Sequence, residues 1–236
     1  MQTTTPATSG AATSSNLVVT AEERALVREH TAKTDVHGVR LRLITADCPL
    51  YHETDESALP FEAPWWAFCW PGGLALTRFV LENPELFKGK RVLDVGSGCG
   101  SVSLACALVG AREIVANDVD RLAGVALAEN AELNGLKMDG ESAEGEPKLS
   151  FLQENRIGAG KAYFDAFDVV VVGDMLYDAD FSPTLLQDLA HHRGVYFGDP
   201  GRTYCPQEVS EDNLLASYDH HEDGFSAIRV FRLTAA

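Results

Sequence analysis

The sequence lacks the cysteine and histidine patterns that stabilise secreted or metal-bound domains. Its five cysteines are an odd number, and none are spaced as C-x-x-C. This usage indicates free thiols in a reducing compartment, not a disulfide framework or a zinc site. The pairs His191–His192 and His220–His221 have no Cys or His partner at ligand spacing, which favours surface residues over metal ligands. We therefore expect no metal site.

A membrane-spanning run and an early basic segment are also missing. No apolar stretch approaches the ~18 residues that a bilayer-spanning helix needs. The first basic residue is Arg24, so the chain opens without the charged start of a secretory signal or the arginines of a mitochondrial presequence. We predict a disordered tail over residues 1–19, no membrane partner and a cytoplasmic location, with the mitochondrial matrix as the alternative.

Positive charge is scarce. Lysine and arginine total 19 against 35 aspartates and glutamates, which gives a net charge of −16. Such a surface repels phosphates, so we expect no nucleic acid partner. It attracts a basic partner, such as a lysine-bearing segment of another protein. The alternative is that the acidity serves solubility alone.

Strands and helices alternate along most of the chain. Strands are predicted at 39–45, 91–95, 113–117, 149–153, 168–173, 195–198 and 227–233, and helices at 21–32, 74–81, 102–109, 122–134, 185–191 and 209–218. This alternation predicts an α/β fold with one doubly wound, mostly parallel sheet. The length of 236 residues fits one large domain, which we place at 86–236, behind a helix-and-strand extension at 20–85.

Four of the predicted strands end in glycine or aspartate. One runs into the G-x-G-x-G turn of residues 96–100, and the others end at Asp118, Asp174 and Asp199. In a doubly wound sheet, ligands bind outside the carboxyl ends of the strands. We therefore expect the ligand site at these four strand ends.

The glycine turn distinguishes between two nucleoside cofactors. A dinucleotide-binding turn reads G-x-G-x-x-G and seats a pyrophosphate, whereas here the third glycine comes one residue early. Asp94, two residues before the turn, would repel a pyrophosphate and attract a cation. S-adenosylmethionine carries a sulfonium and an ammonium but no phosphate, so we predict this cofactor rather than NAD. Its predicted contacts in this segment are Asp94, Gly96, Gly98 and Gly100, with capping of the turn as the alternative role for Asp94.

Two further residues extend the predicted cofactor site. Asp118 ends the next strand, where its carboxylate can accept hydrogen bonds from ribose hydroxyls. Asn155 follows the third strand of the domain and is a candidate contact for the adenine. Capping of its own loop is an equal alternative for Asn155.

Five segments together resemble a known family. They read PWWAFCWPGG, RVLDVGSGCG, IVANDVD, VVVVGDMLYD and GDPGR. They are similar to segments of the seven-β-strand lysine methyltransferases, in particular the electron transfer flavoprotein β-subunit lysine methyltransferases and their bacterial relatives. The resemblance runs from residue 29 to residue 202. It implies a class I S-adenosylmethionine methyltransferase with a seven-stranded, Rossmann-like sheet.

The resemblance also implies roles for individual residues. Asp94, Gly96, Gly98 and Asp118 match cofactor ligands of the family, and Trp70 would lie beside the methionine portion. The segment from Asp174 to Tyr177 matches the family's D/E-x-x-Y/F motif, which lines the lysine channel. We therefore assign Asp174 to both cofactor binding and catalysis, and Tyr177 to catalysis. The substrate that the resemblance implies is a lysine of the electron transfer flavoprotein β-subunit.

Elementary chemistry agrees with a lysine channel here. The attacking amine must be neutral, yet free lysine has a pKa of about 10.4. An aromatic channel that removes water from the ammonium lowers that pKa. Asp174 would orient the amine, and the rings of Tyr177 and Trp70 would face the cation. Asp199 and Arg202 are expected to shape the substrate entrance or only to form a turn.

Several alternatives stay open at this point. The tryptophans fit core packing, Asp174 fits a solvated strand-end carboxylate, and Tyr177 fits a packed lid residue. The substrate can also be a small molecule or another protein, such as a ribosomal component. A module that binds the cofactor without turnover is a third hypothesis.

Overall fold

The computed structural model describes residues 17–55, 59–138, 145–206, 210–221 and 224–233. Its strands are β1 (Ala32–Val36), β2 (Val39–Leu43), β3 (Arg91–Val95), β4 (Glu113–Asp118), β5 (Lys148–Gln153), β6 (Val169–Gly173), β7 (Val195–Asp199), β8 (Leu214–Asp219) and β9 (Ala227–Phe231). Its helices are α1 (Ala21–His30), α2 (Pro71–Glu82), α3 (Ser101–Leu108), α4 (Arg121–Leu133), α5 (Lys161–Phe164) and α6 (Ser182–Leu189). No helix in these ranges is long and apolar enough to cross a membrane.

Seven strands form one sheet in the order β5-β4-β3-β6-β7-β9-β8. The first five are parallel, and β9 pairs antiparallel with both β7 and β8. The chain runs outward from β3 to β5 and then returns to β6 on the other side of β3. This reversal creates a crevice at the carboxyl ends of β3 and β6, where doubly wound sheets bind ligands. The predicted fold class, an α/β seven-stranded and mostly parallel sheet, is confirmed.

Helices cover both faces of the sheet. Val92, Ile114 and Val171 lie in the core on the face covered by α2, α3 and α4. The alternate residues of the same strands, such as Leu93 and Val170, belong to a second core with α5 and α6. Because both faces are buried, the central strands are continuous apolar runs, which is why the sequence locates them closely.

The N-terminal extension is held by a buried carboxylate on α4. Glu129 is only 3% exposed, and its Oε1 accepts from Arg24 Nη1 at 2.6 Å while its Oε2 accepts from Arg28 Nε at 2.6 Å. Arg42 of β2 lies 3.6 Å from the same carboxylate. Burial opposes the ionisation of Glu129, but the hydrogen bonds from Arg28 and Arg24 outweigh burial and lower its pKa.

The structure adds a strand that the sequence pattern did not predict. β1 pairs antiparallel with β2 in a separate two-stranded sheet. The other edge of β2 lies against α4, where Arg42 N donates to Asn130 Oδ1 at 2.7 Å and Arg40 N donates to Asn134 Oδ1 at 3.0 Å. These two asparagine side chains accept hydrogen bonds from backbone amides on an edge of β2 that could otherwise pair with another strand.

One predicted element is wrong. The helix predicted at 209–218 is replaced by β8 over Leu214–Asp219, which pairs with β9, while residues 207–209 lie outside the described ranges. β8 is an edge strand, so its side chains are only partly buried and carry little periodic signal. Of the predicted tail, residues 1–16 are outside the described ranges, whereas Val18 accepts a 2.8 Å hydrogen bond from Arg121 through its carbonyl.

A backbone-to-backbone contact sets α2 against the ends of β6 and β7. A Cβ added to Gly72 would lie 2.1 Å from the carbonyl oxygen of Gly198 and 2.5 Å from the nitrogen of Asp174. A Cβ added to Gly198 would lie 2.2 Å from the carbonyl oxygen of Gly72. Only glycine permits this approach, because backbone atoms cannot move aside as a flexible side chain can.

We expect Gly72→Ala to destabilise the fold by about 1–3 kcal/mol or more, because overpacking here is against backbone. Gly73→Ala is the matched control in the same helical turn. Its Cβ would meet nothing closer than Ser101 Oγ at 3.8 Å, so it should leave stability unchanged or raise it by up to ~1 kcal/mol through helix propensity. Urea denaturation of both variants measures the difference, and equal midpoints would contradict this account.

Candidate cofactor and active site

A cavity of about 1110 Å³ opens at the carboxyl ends of β3, β4 and β6. Its wall includes the glycine turn after β3, the end of β4, the segments after β5 and β6, and the aromatic segment before α2. The predicted site residues in this wall are Trp70, Gly96, Gly98, Asp118, Asn155, Asp174 and Tyr177. Asp94 and Gly100 are not part of the wall. The volume is sufficient for a ligand of nucleoside size.

The glycine turn presents backbone to the cavity at Gly98. A Cβ at Gly98 would meet no heavy atom within 4 Å, and its nitrogen donates to Asp118 Oδ2 at 2.9 Å. Gly96, which also lines the cavity, and Gly100 permit close packing, because their Cβ atoms would lie 2.3 Å from Met175 Sδ and 2.4 Å from Leu127 Cδ1. All three residues have positive φ angles, which glycine adopts readily.

Asp94 lies beneath the glycine turn rather than in the cavity wall. It is 2% exposed, and its Oδ2 accepts from Ser103 Oγ on α3 at 2.6 Å. Burial raises its pKa to about 7, although the hydrogen bonds from Ser103 oppose this shift. Asp94 therefore does not line the cavity, and a pKa of about 7 leaves its carboxyl group partly protonated near neutral pH. Ser103 carried no signal in the sequence.

Asp118 and Asn155 stand on neighbouring strand ends. Besides Gly98, Asp118 accepts from Asp120 N at 3.0 Å through Oδ1, and burial raises its pKa. Asn155 Oδ1 accepts from Ile157 N at 3.0 Å, so this side chain caps its own loop while lining the cavity. Asn117, which the sequence analysis missed, donates at 2.8 Å to the carbonyls of both Leu152 and Glu154 and so fixes the start of this loop. A polar residue inside the apolar run EIVAND was the available signal.

Asp174 follows β6 and faces both the cavity and α2. It is 6% exposed, and its Oδ2 accepts from Gly72 N at 2.9 Å. Its Oδ1 accepts from Arg202 Nε. Its φ of 59° is in the left-handed region, which few non-glycine residues occupy, and its nitrogen donates to Gly198 O at 2.9 Å. Asp174 is thus a firmly held buried carboxylate and not a solvated strand-end residue.

Asp199 holds the loop that carries Arg202. It is 1% exposed, and its Oδ1 accepts from Gly201 N at 2.6 Å and Arg202 N at 2.7 Å. Burial raises the pKa of Asp199, and these two hydrogen bonds oppose the shift. The side chain of Arg202 lines the cavity, with its Cζ 5.1 Å from the ring centroid of Phe225.

The three tryptophans differ in their environments. Trp66 is buried at 2% exposure and packs edge-on against Phe61, as core packing predicts. Trp65 is 65% exposed, and its carbonyl accepts from Trp70 Nε1 at 2.9 Å. Trp70 is half-buried in the cavity wall. Tyr177 is 52% exposed across the mouth and packs edge-on against Phe181 at 5.4 Å.

The cavity suits the sulfonium nucleoside predicted from the sequence. Its donors and acceptors include the backbone at Gly98 and the carboxylates of Asp118 and Asp174, and Trp70 adds aromatic surface. The Asp118 carboxylate favours a cation and disfavours a pyrophosphate. Within the described residues, no cluster of three or more His, Cys, Asp or Glu side chains is placed to hold a metal ion.

Comparisons with known proteins show which family the chain resembles. The family model described as ribosomal protein L11 methyltransferase (PrmA) matches residues 75–172. The electron transfer flavoprotein beta subunit lysine methyltransferase of Xenopus laevis is 38% identical over 187 residues, which cover 76% of this chain and 70% of that protein. The Homo sapiens protein of the same name is 38% identical over 227 residues, with 89% and 81% coverage. The Caenorhabditis elegans homolog is 34% identical over 219 residues, with 83% and 88% coverage.

Among solved structures, the Thermus thermophilus 16S rRNA N2 G1207 methyltransferase superimposes with a TM-score of 0.48 at 17% identity, over 86% of this chain and 50% of that one. The fold assignment rests on the strand order and not on this likeness. The identities and coverage of the three lysine methyltransferases decide the family. The chain therefore belongs to the electron transfer flavoprotein β-subunit lysine methyltransferase family and is a methyltransferase that uses S-adenosylmethionine.

Proposed function

We propose that this chain methylates a lysine side chain of the electron transfer flavoprotein β-subunit. The relatives at 34–38% identity carry that substrate in their names. The observation that carries the proposal is Asp174, a buried carboxylate held from two sides at the inner wall of a cavity whose mouth bears Trp70 and Tyr177. This combination suits an amine that must lose water before it reacts.

The cofactor half of the site follows from the same geometry. We assign the nucleoside to the space beside Gly98, with the ribose hydroxyls on Asp118 and the adenine near Asn155. Asp118 already accepts from two backbone amides, so its oxygens are fixed in direction before a ligand arrives. Asp94 contributes a buried negative charge below the glycine turn. Gly96 and Gly100 give the turn its backbone conformation.

Bound S-adenosylmethionine supplies an electrophilic methyl group on a positively charged sulfur. This chain's residues then act by positioning, which supplies much of the rate when two reactants must meet in line. Trp70 and Tyr177 exclude water from the amine. Asp174 accepts a hydrogen bond from the neutral amine and orients its lone pair.

A second candidate is methylation of a ribosomal protein, which the PrmA match favours. That match ends at residue 172, before Asp174 and Tyr177. It therefore covers the cofactor half and omits the residues that we assign to the lysine. The purified β-subunit and ribosomal protein L11, offered separately with labelled cofactor, distinguish the two candidates.

We also propose the partners and the compartment that the sequence favours. The net charge of −16 favours a basic protein segment over nucleic acid, and no membrane partner is proposed. All five cysteines are free in the structure, in keeping with a reducing compartment. The cytoplasm is our first choice, with the mitochondrial matrix as the alternative.

Asp118→Asn should weaken S-adenosylmethionine binding by about tenfold or more, because hydrogen bonds to a charged acceptor contribute roughly 1.5–3 kcal/mol. Glu154→Gln is the matched control, since Glu154 also lines the cavity but is paired with Arg156. Calorimetry at one pH measures both dissociation constants. If both variants bound the cofactor equally weakly, the loss would be due to the change in net charge and not to the position of Asp118.

Cofactor affinity should rise with pH through about 7. Binding of a cation favours ionised Asp94 and lowers its raised pKa, so a proton is released on binding and higher pH strengthens it. Asp94→Asn should flatten this dependence. Dissociation constants from pH 6 to pH 8 test the expectation, and an unchanged slope in the variant would refute it.

Asp174→Asn should lower kcat/KM for the β-subunit about 100-fold or more, because loss of orientation at the reacting centre is costly. Cofactor affinity should stay within a few-fold of wild type. Asp178→Asn, in the same cavity wall, serves as the control and should keep most of the activity. Full activity in Asp174→Asn would remove this residue from the mechanism.

A further inference from the structure

Arg202 places a permanent positive charge where the substrate amine is expected. Its Nε donates to Asp174 Oδ1, and its Cζ lies 5.1 Å from the ring centroid of Phe225 and 6.0 Å from that of Trp70. The carboxylate and the aromatic faces that would attract an ammonium therefore already face a guanidinium.

The arginine is built into the site and not a mobile surface group. Its backbone nitrogen donates to the buried Asp199 at 2.7 Å, and its side chain is only 24% exposed. Asp174 does not need Arg202 to stay in place, because Gly72 N holds its other oxygen at 2.9 Å. The ion pair therefore changes the charge of the site more than its shape.

We propose that Arg202 is a positioning residue that neutralises the field of Asp174, so that the channel favours the neutral amine of the substrate over its ammonium form. This inference rests on the proposed function. Alone, the Asp174 carboxylate would bind the ammonium, which has no lone pair to attack with. Paired with Arg202, it keeps an acceptor lone pair for orienting a neutral amine while the net charge nearby is close to zero.

Other charged and titratable groups surround the same volume. They come from the ends of β4, β6 and β7, from the segments that follow β6 and β7, and from β9. They are Asp118, Asp174, Asp178, Asp199, Tyr177, Cys205 and Arg229, with Cys69 before α2 and, farther along the cavity wall, Glu62, Asp120, Arg121, Glu154 and Arg156. Arg229 is directed to Cys205 Sγ at 3.4 Å, which leaves Arg202 as the cation among these groups that is bonded to Asp174.

The test compares kcat against pH for wild type, Arg202→Gln and Arg202→Lys, with the β-subunit as substrate. The pH dependence of kcat reports ionisations in the bound complex, where the variant acts. kcat is expected to rise with pH as the bound amine loses its proton. Removing the positive charge of Arg202, within a few ångströms of that amine, should raise the pKa of the amine and move the midpoint of this rise upward by about one pH unit. At pH 7.5 Arg202→Gln should then lose about tenfold in kcat, with KM unchanged or lower, and should recover above the shifted midpoint. Arg202→Lys keeps the charge and should follow wild type.

Two results would overturn the inference. A loss in Arg202→Gln that is equal at every pH and not rescued by Arg202→Lys would make Arg202 only structural. A gain in kcat/KM at every pH would show that Arg202 blocks the channel and must leave.

A second measurement separates this inference from the substrate assignment. n-Hexylamine, titrated by calorimetry into each variant with S-adenosylhomocysteine present, reports on the channel without the β-subunit. Wild type and Arg202→Lys should bind it more tightly as pH rises, and Arg202→Gln should bind it at neutral pH with little pH dependence. Identical pH profiles, or no heat in any variant, would overturn the inference. Inactivity of wild type on the β-subunit together with the predicted amine profiles would overturn only the substrate assignment.

Discussion

The contact between the backbone of α2 and the ends of β6 and β7 controls the geometry of the site. Gly72 and Gly198 meet without side chains between them, and the amide of Gly72 reaches the carboxylate of Asp174. Pro71 starts α2, and Trp70 directly precedes it. The N-terminus of α2 therefore both positions Trp70 and holds the Asp174 carboxylate.

Electrostatics divides the cavity into two regions of different character. On the side that we propose for the cofactor, Asp118 in the wall and Asp94 beneath the glycine turn are carboxylates whose pKa values are raised by burial, so a nearby cation would favour their ionised forms. On the side that we propose for the substrate, Asp174 is paired with Arg202. The cationic methyl donor and the neutral amine that we propose need opposite electrostatic environments, and the carboxylates of β3, β4 and the end of β6 differ in this way.

The sequence predicted the parts of the molecule that local pattern determines. The runs at β3, β4 and β6 are continuous and apolar, so their positions could be located closely. β1 and β8 were missed because both are partly exposed and are held by pairing with a neighbouring strand, a non-local contact. The same limit applied to the site. The sequence placed Asp94 beside the glycine turn, but in the structure its carboxylate accepts from Ser103, nine residues later, and does not line the cavity.

The carboxylate of Glu129 holds more of the N-terminal extension than α1 alone. Arg42 of β2 reaches it, and just beyond β2 the amide of Ile44 donates to Ala67 at 2.8 Å, in the turn that leads to Trp70. Because the pKa of Glu129 is lowered, its carboxylate is ionised at neutral pH and the ion pairs with the arginines are intact. They are lost only when acid protonates the carboxylate, at a pH below the ordinary glutamate pKa of 4.5. Protonation of this one carboxylate would then loosen α1 and β2 together and, through the hydrogen bond from Ile44 to Ala67, the segment that carries the aromatic wall of the channel.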